Sequence, residues 1–238
     1  MLMKKLIIIP AYNESRNIEK VISDIQDNNL DFDYIIINDC STDNTKEICL
    51  ENRFNIINLP INLGIGGAMQ TGYLYAKKYN YDIAVQFDGD GQHNAKYIKE
   101  MFNNLQEKNL DMVIGSRFIV SEGFQSSVAR RCGISILNRI IKIVTRQNIT
   151  DPTSGLRMVN KKVIESFCTY YPSDYPEPES VASILRQGFQ VGEVPVIMKE
   201  RVAGKSSINL NRSIYYMAKV SLAILIDGLK PKRKEETY

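Results

Sequence analysis

The stretch Ile83-Ala-Val-Gln-Phe-Asp-Gly-Asp-Gly-Gln-His93 decides how the rest of the chain is read. Its first half is apolar without alternation, as in a strand buried on both faces. Its second half is acidic and glycine-rich. Asp88 and Asp90 alternate, so in extended backbone both carboxylates leave the chain on the same side. The flanking glycines allow a tight turn and close approach by a ligand. Two carboxylates, with the Gln92 carbonyl nearby, form a hard-oxygen set suited to Mg2+ or Mn2+ rather than zinc. An Asp-Gly surface turn would be written with the same residues, so the surroundings must decide between them.

Outward from this stretch, similar apolar runs recur at Leu6–Ile9, Tyr34–Ile37, Asn55–Leu59 and Met112–Ile114. Helical spacing lies between them, at Ile18, Val21, Ile22 and Ile25, at Met69, Tyr73 and Ala76, and at Ile98, Met101, Phe102 and Leu105. Strand–helix alternation with continuous apolar strands predicts an α/β fold with a mostly parallel sheet covered on both faces. In such sheets ligands bind beyond the carboxyl ends of the strands. Those ends read Pro10-Ala-Tyr-Asn-Glu14, Asn38-Asp-Cys-Ser-Thr-Asp43, Asn62-Leu-Gly-Ile-Gly-Gly67, Asp88-Gly-Asp-Gly-Gln-His93 and Gly115-Ser-Arg117. All five are polar or glycine-rich, which suggests one lined site and favours the ligand reading of the aspartates.

Further along, the sequence predicts a helix over Arg131–Thr145, the segment Asp151-Pro-Thr-Ser-Gly-Leu-Arg157, a helix from about Glu179 to Gln187 and a strand over Val191–Met198. Asp39 can accept hydrogen bonds from a base or ribose, while Ser41–Asp43 looks like a helix cap. Gly64–Gly67 lacks the spacings of dinucleotide and P-loop motifs; it serves either an anion at a helix start or close helix–sheet packing. His93 is either a metal ligand or a hydrogen-bonded structural group. Glu177 and Glu179 suit the first turn of a helix or a carboxylate facing the acceptor, and the functional reading is favoured for Glu179.

Of 238 residues, 44% are hydrophobic and 24% charged, the ordinary globular mixture. Thirty Lys+Arg against 27 Asp+Glu leave a net charge of +3, too mild to argue for nucleic acid. Four scattered cysteines and a single histidine make a zinc site or disulfide framework unexpected and favour a reducing compartment. The short apolar run before Pro10 reads as a first strand rather than a signal peptide. Near the C-terminus, Arg212, Lys219, Asp227 and Lys230 fall on one stripe of an otherwise apolar helix. Its charges argue against a membrane span; it reads as an amphipathic helix lying on a membrane interface, on its own domain or on a second subunit, followed by a basic tail.

Seven of these pieces, with Ser154-Gly-Leu-Arg157 and Glu200-Arg-Val-Ala-Gly204 among them, run in one order over residues 4–208. In that order they resemble the family-two glycosyltransferases of GT-A (Rossmann-like) fold. They are similar in particular to the branch that contains dolichyl-phosphate mannosyltransferase and bacterial polyprenyl-phosphate glycosyltransferases. The resemblance implies a GT-A domain over 1–208, followed by the amphipathic helix and basic tail over 209–238. It also implies a nucleotide-sugar donor held by Pro10, Ala11, Tyr12, Glu14, Asp39, Gly67, Asp88, Gly89 and Arg201. Asp88, Asp90 and Gln92 would hold the metal. Arg117, Arg131 and Ser135 match positions that bind a polyprenyl phosphate. Asp90, Glu179 and Arg117 would be the catalytic group, with Arg201 on a loop closing over the donor. The chain departs from the pattern at Asn38, Cys40 and Ile65, where the family usually carries Asp, Gly and a basic residue, and in Gly204-Lys-Ser-Ser207, where the lysine is displaced.

The expectation is therefore a metal-dependent, inverting transfer of sugar to a polyprenyl phosphate, by a protein peripheral to the cytoplasmic face of a membrane, alone or with a second subunit or membrane-protein partner. A phosphate monoester is largely dianionic at neutral pH and needs no strong base, so Glu179 is expected to orient the site. The competing readings are transfer to a saccharide hydroxyl, which would need a base, and a silent sugar-nucleotide binding module.

Overall fold

The computed structural model describes residues 3–28, 30–120, 122, 128–174, 176–199 and 210–229. It contains a seven-stranded sheet of order β3-β2-β1-β4-β6-β5-β7. The strands are β1 (Lys5–Ala11), β2 (Asp33–Asn38), β3 (Ile56–Asn58), β4 (Ile83–Gln86), β5 (Met112–Ser116), β6 (Arg157–Asn160) and β7 (Val191–Pro195). All pair in parallel except β6, which runs antiparallel between β4 and β5. The helices are α1 (Ile18–Asp27), α2 (Thr45–Glu51), α3 (Gly64–Lys78), α4 (Lys96–Glu107), α5 (Val128–Thr145), α6 (Lys161–Thr169), α7 (Pro176–Gln187) and α8 (Leu210–Leu229).

Alternation along each strand divides the core in two. Leu6, Ile8, Ile35, Ile37 and Ala84 face one side with α3, α5, α6, α7 and α8. Ile7, Ile9, Ile36 and Val85 face the other with α1, α2 and α4. Residues with both neighbours buried are what a strand covered on two faces requires, and the apolar runs in the sequence are those strands. Helix α3 lies so close to β1 that a Cβ on Gly72 would come within 2.2 Å of Ile8 Cγ2. Gly72→Ala should therefore destabilise the fold by about 1–3 kcal/mol, although alanine is the better helix former. A urea titration would show this as a lower midpoint at unchanged slope.

Helices α5 and α7 begin earlier than the sequence spacing predicts, at Val128 and Pro176. Pro176 and Pro178 occupy the first turn of α7, where the backbone N–H groups have no intrahelical partner and proline costs nothing. Strand β6 was not foreseen: four residues between a polar loop and a helix carry no period that separates them from either. Helix α8 packs on α5 and α7. Val220 and Ile224 enter the core, Asp227 pairs with Arg186 at 2.6 Å, and Lys219 pairs with Asp174. No helix among the described residues is long and apolar enough to cross a membrane.

Candidate active site

Strand order reverses at β1, which has β2 on one side and β4 on the other. In doubly wound sheets the ligand crevice opens at such a switch point, and here it falls between the ends of β1 and β4. Both carry predicted site residues. The Gly89 N–H donates to the Pro10 carbonyl at 3.3 Å, and a Cβ on Gly89 would come within 2.9 Å of that oxygen. Glycine is what lets the two strand ends approach.

On the β1–β2 side, the loop after β1 is held by the loop after β2. Asn13, at φ 58°, accepts from the Thr42 N–H at 2.8 Å. The Glu14 N–H donates to Thr45 Oγ1 at 2.9 Å, and the Glu14 carboxylate accepts from Asn17 at 2.7 Å. Asp39 is buried and accepts from the Leu63 N–H at 2.7 Å, which ties β2 to the start of α3. Tyr12 is exposed. Asn38 bonds Asn58 and Ser41, locking the loop. Cys40 adopts φ 57°, the left-handed conformation for which glycine is the ordinary choice. Gly66 and Gly67 are used for packing: a Cβ on Gly66 would meet the Pro172 and Ser173 carbonyls at 2.2 and 2.3 Å, and one on Gly67 would meet Leu63, while Gly64 sits at φ 74° in open space.

At the tip of β4, Asp88 and Asp90 are separated by Gly89 alone but differ in support. Asp88 Oδ2 is 3.2 Å from His93 Nε2, and Gln86 Nε2 donates to its Oδ1 at 3.3 Å. A Cβ on Gly155 would lie 2.1 Å from Asp88 Oδ2, so the carboxylate is seated against the backbone that leads into β6. Burial raises the Asp88 pKa, but the His93 hydrogen bond and charge, with help from Gln86 and Arg157, outweigh it and hold the group below its ordinary value. Asp90 accepts from the Gln92 N–H at 3.0 Å, and Gln92 bonds back to Lys199 through both side chain and backbone. His93 is buried against Phe87 and orients Asp88.

No group of three or more His, Cys, Asp and Glu able to hold a metal occurs among the described residues. Two carboxylates of hard-oxygen type, one of them oriented by a buried histidine, fit a cation that keeps waters and takes its remaining ligands from a diphosphate. Mg2+ and Mn2+ belong to that class.

Two predicted residues are placed differently from each other. Glu179 accepts from the exposed Tyr170 hydroxyl at 2.9 Å. Glu177 is half-buried in the first turn of α7. Burial, then the Asp88 charge, raise the Glu177 pKa, against the opposing charge of Arg157. Arg117 is buried and donates to both oxygens of Asp151 at 2.6 and 2.7 Å, and to Thr153 at 2.8 Å. Asp151 is in turn held through its N–H by Glu193 at 2.9 Å, and Glu193 also accepts from Thr150. Burial raises the Glu193 pKa against these bonds. Neither Asp151 nor Glu193 was singled out by the sequence, since each is a lone acid in an unremarkable context. Arg131 and Ser135 line a separate pocket of about 300 Å³ with Phe118, Ile134, Asn138, Asn148, Ile149 and Thr150. Arg201 and the Gly204–Ser207 segment lie outside the described residues.

Comparisons with known proteins agree with this architecture. The model of the family described as "Glycosyl transferase family 2" matches residues 6–167. The UDP-N-acetylglucosamine–dolichyl-phosphate N-acetylglucosaminyltransferase of Methanococcus voltae is 31% identical over 210 residues, spanning 80% of this chain and 83% of that one. The undecaprenyl-phosphate mannosyltransferase of Micrococcus luteus is 24% identical over 247 residues, spanning 97% and 99%. Among solved structures, glucosyl-3-phosphoglycerate synthase from Mycobacterium tuberculosis, in complex with Mn2+, UDP-glucose and phosphoglyceric acid, superimposes with a TM-score of 0.69 at 17% identity. That match covers 96% of this chain and 81% of the synthase; a further complex of the same enzyme contains Mg2+ and UDP. The crevice at the strand switch, the acid pair at the tip of β4 and the family match along most of the sheet agree, and the chain belongs to glycosyl transferase family 2.

Proposed function

We propose that this glycosyltransferase moves a sugar from a nucleoside diphosphate to a polyprenyl phosphate, with inversion at the anomeric carbon and with a divalent cation at Asp88 and Asp90. The observation that carries the reading is the acid pair at the β1/β4 switch point, with the Asp88 carboxylate seated against His93 and the Gly155 backbone. The two named relatives act on lipid-linked phosphates according to their names, which supports the acceptor class. Gln92 completes the cation's oxygen set. Pro10, Ala11, Tyr12, Glu14 and Asp39 line the nucleoside side, with Gly67 and Gly89 shaping it and Arg201 following from beyond β7.

Asp88 and Asp90 would hold the cation, whose chemistry would be to neutralise charge on the departing diphosphate. His93 and Gly155 fix the Asp88 carboxylate, so its position is set before any ligand arrives. Arg131 and Ser135 hold the acceptor phosphate through charge-assisted hydrogen bonds. A phosphate oxygen attacks the anomeric carbon opposite the diphosphate; the new C–O bond forms as the old one breaks, giving a glycosyl phospholipid and a nucleoside diphosphate. The nucleophile is already ionised near neutral pH, so no carboxylate need take its proton. Glu179, at the Tyr170 hydroxyl, supports α7 from outside. Arg117 acts through Asp151, fixing the loop that borders the pocket.

The apolar residues that α5 and α8 leave exposed, Ile136, Ile143, Leu222, Leu225 and Leu229, support peripheral contact with a membrane, where basic neighbours add about 1 kcal/mol each on anionic lipid. Arg131→Ala should lower kcat/KM for polyprenyl phosphate about tenfold to a hundredfold, the worth of one charged hydrogen bond. The assay follows labelled sugar into the organic phase in the presence of Mn2+. Label that stays in the aqueous phase as a saccharide product would overturn the lipid-phosphate acceptor.

A further inference from the structure

The pocket beside α5 has two walls. Arg131, Ser135 and Asn138 belong to the helix, and residues 148–150 belong to the loop before β6. The walls meet where Asn138 Nδ2 donates to the Thr150 carbonyl at 2.9 Å. The helix wall is one regular element, packed on α7 and α8. The loop wall is irregular backbone, which has no ladder of its own bonds, so its N–H groups need acceptors from elsewhere.

Glu193 of β7 supplies them. This half-buried carboxylate accepts from the Thr150 N–H at 2.8 Å through Oε2. Through Oε1 it accepts from the Asp151 N–H and from Thr150 Oγ1, both at 2.9 Å. Because the Thr150 hydroxyl hydrogen goes to Glu193, Ser116 is the donor in the 2.6 Å contact between Ser116 Oγ and Thr150 Oγ1. Ser116 Oγ in turn accepts from the N–H of Phe118, a further lining residue, at 3.2 Å. One carboxylate thus orders both flanks of the loop wall, and it holds Asp151, which two bonds join to the buried Arg117. The arrangement admits only a carboxylate. Both oxygens face a backbone N–H, so an amide would set donor against donor whichever way it is flipped. For closing the sheet edge alone an apolar side chain would serve better, since burial disfavours this acid and raises its pKa.

We propose that Glu193 is a positioning residue for the acceptor: through Thr150 and Asp151 it fixes the loop wall at the distance from α5 at which Arg131 and Ser135 bond a phosphate monoester. The inference rests on the acceptor reading above and deepens it. Glu193 does not line the pocket; it acts from behind the wall. A displacement of about 1 Å in such a support can weaken a site about a hundredfold. The donor side is insulated from it. Gly155, against which Asp88 is seated, has its own anchor, because Arg157 bonds the carbonyls of Pro152 and Ser154 at 2.6 and 2.7 Å.

Calorimetric titration of the full chain separates the two sides. The acceptor probe is farnesyl phosphate in detergent micelles, and the donor probes are UDP and GDP with Mn2+. Glu193→Gln should weaken farnesyl phosphate about tenfold to a hundredfold and leave the nucleotide that binds within about twofold. Retained nucleotide binding shows that the variant is folded. Farnesol, which lacks the phosphate, should bind the variant and the unmodified protein alike. Glu193→Asp, which keeps both acceptor oxygens on a shorter stem, should fall between the two, and it takes the place of the amide in the same comparison if Glu193→Gln does not fold. Unchanged affinity for farnesyl phosphate overturns the proposal. So does equal weakening of phosphate and nucleotide in a folded variant, the result expected of a residue that only supports the fold. Unmodified protein that binds a nucleotide but not farnesyl phosphate removes the lipid-phosphate acceptor and this role with it. Unmodified protein that binds neither nucleotide removes the nucleotide-sugar reading beneath both.

Discussion

Replacing Asp88 and Asp90 together by asparagine is expected to reduce turnover about a thousandfold or more, with the fold retained. The change is nearly isosteric. It removes both negative charges from the tip of β4 while leaving the backbone turn and its glycines in place. The Asp88 side chain is 29% exposed, so neutralising it does not strand a charge in the core. Asparagine keeps an oxygen that can accept from Gln86 and from the Gln92 N–H, while His93, buried and packed on Phe87, loses its charged partner. The single change His93→Gln should be milder, about tenfold to a hundredfold, because it loosens one ligand without deleting it. Steady-state rates with Mn2+, together with Mn2+ binding followed by electron paramagnetic resonance, give the measurement. Turnover within about tenfold of the unmodified protein would mean that sugar transfer does not use this acid pair.

The second large effect concerns stability. Asp151→Ala should destabilise the fold by about 3–5 kcal/mol, since it removes the carboxylate that two nitrogens of the Arg117 guanidinium bond, in a site where the two side chains are 5% and 0% exposed. Against a typical total of about 5–15 kcal/mol, that is a large fraction. The damage is not confined to one pair. Asp151 accepts from the Arg117 N–H as well as its side chain, and its own N–H is held by Glu193 on β7. Arg117 follows β5, so the ends of two neighbouring strands and the 150–153 loop are fastened at one point. Replacing both partners, Arg117→Met with Asp151→Leu, should recover a substantial part of the loss, because no lone buried charge remains. Urea denaturation of the three variants tests this; a loss below about 1 kcal/mol for Asp151→Ala would mean that water reaches the guanidinium.

Much of this architecture was legible in the sequence because strands covered on both faces leave uninterrupted apolar runs. β1, β2, β4 and β5 are such runs, and the polar residues that follow them mark the crevice. β6 was hidden: Met158 and Val159 alone carry its apolar character, and nothing local says that it runs against its neighbours. The acid pair was readable because its spacing and position are both local properties. The surroundings of Glu177 and Glu179 were not, since they depend on how the first turn of α7 meets the sheet, and a buried arginine 20 residues earlier holds that turn by its backbone. The sequence likewise presents Arg117 as a cation for the acceptor, while the fold pairs it with an aspartate 34 positions on. Gly64–Gly67 resembles an anion loop in composition, yet a Cβ on Gly66 would meet the backbone of Pro172 and Ser173 and one on Gly67 the Leu63 side chain.

The antiparallel strand also governs the order in which the molecule can be assembled. β4 and β5 follow each other in the chain but do not touch; the slot between them is filled only by residues 157–160. A nascent chain that has emerged as far as β5 therefore carries two facing strand edges with unsatisfied backbone groups, the state in which sheets recruit neighbours. Until β6 is delivered, Gln86 and Ile114, both later joined through Arg157, belong to separate halves. β6 is the piece that makes one body of the sheet, with β7 added to its edge afterwards, and the interval before β6 arrives is when the protein is most exposed to aggregation.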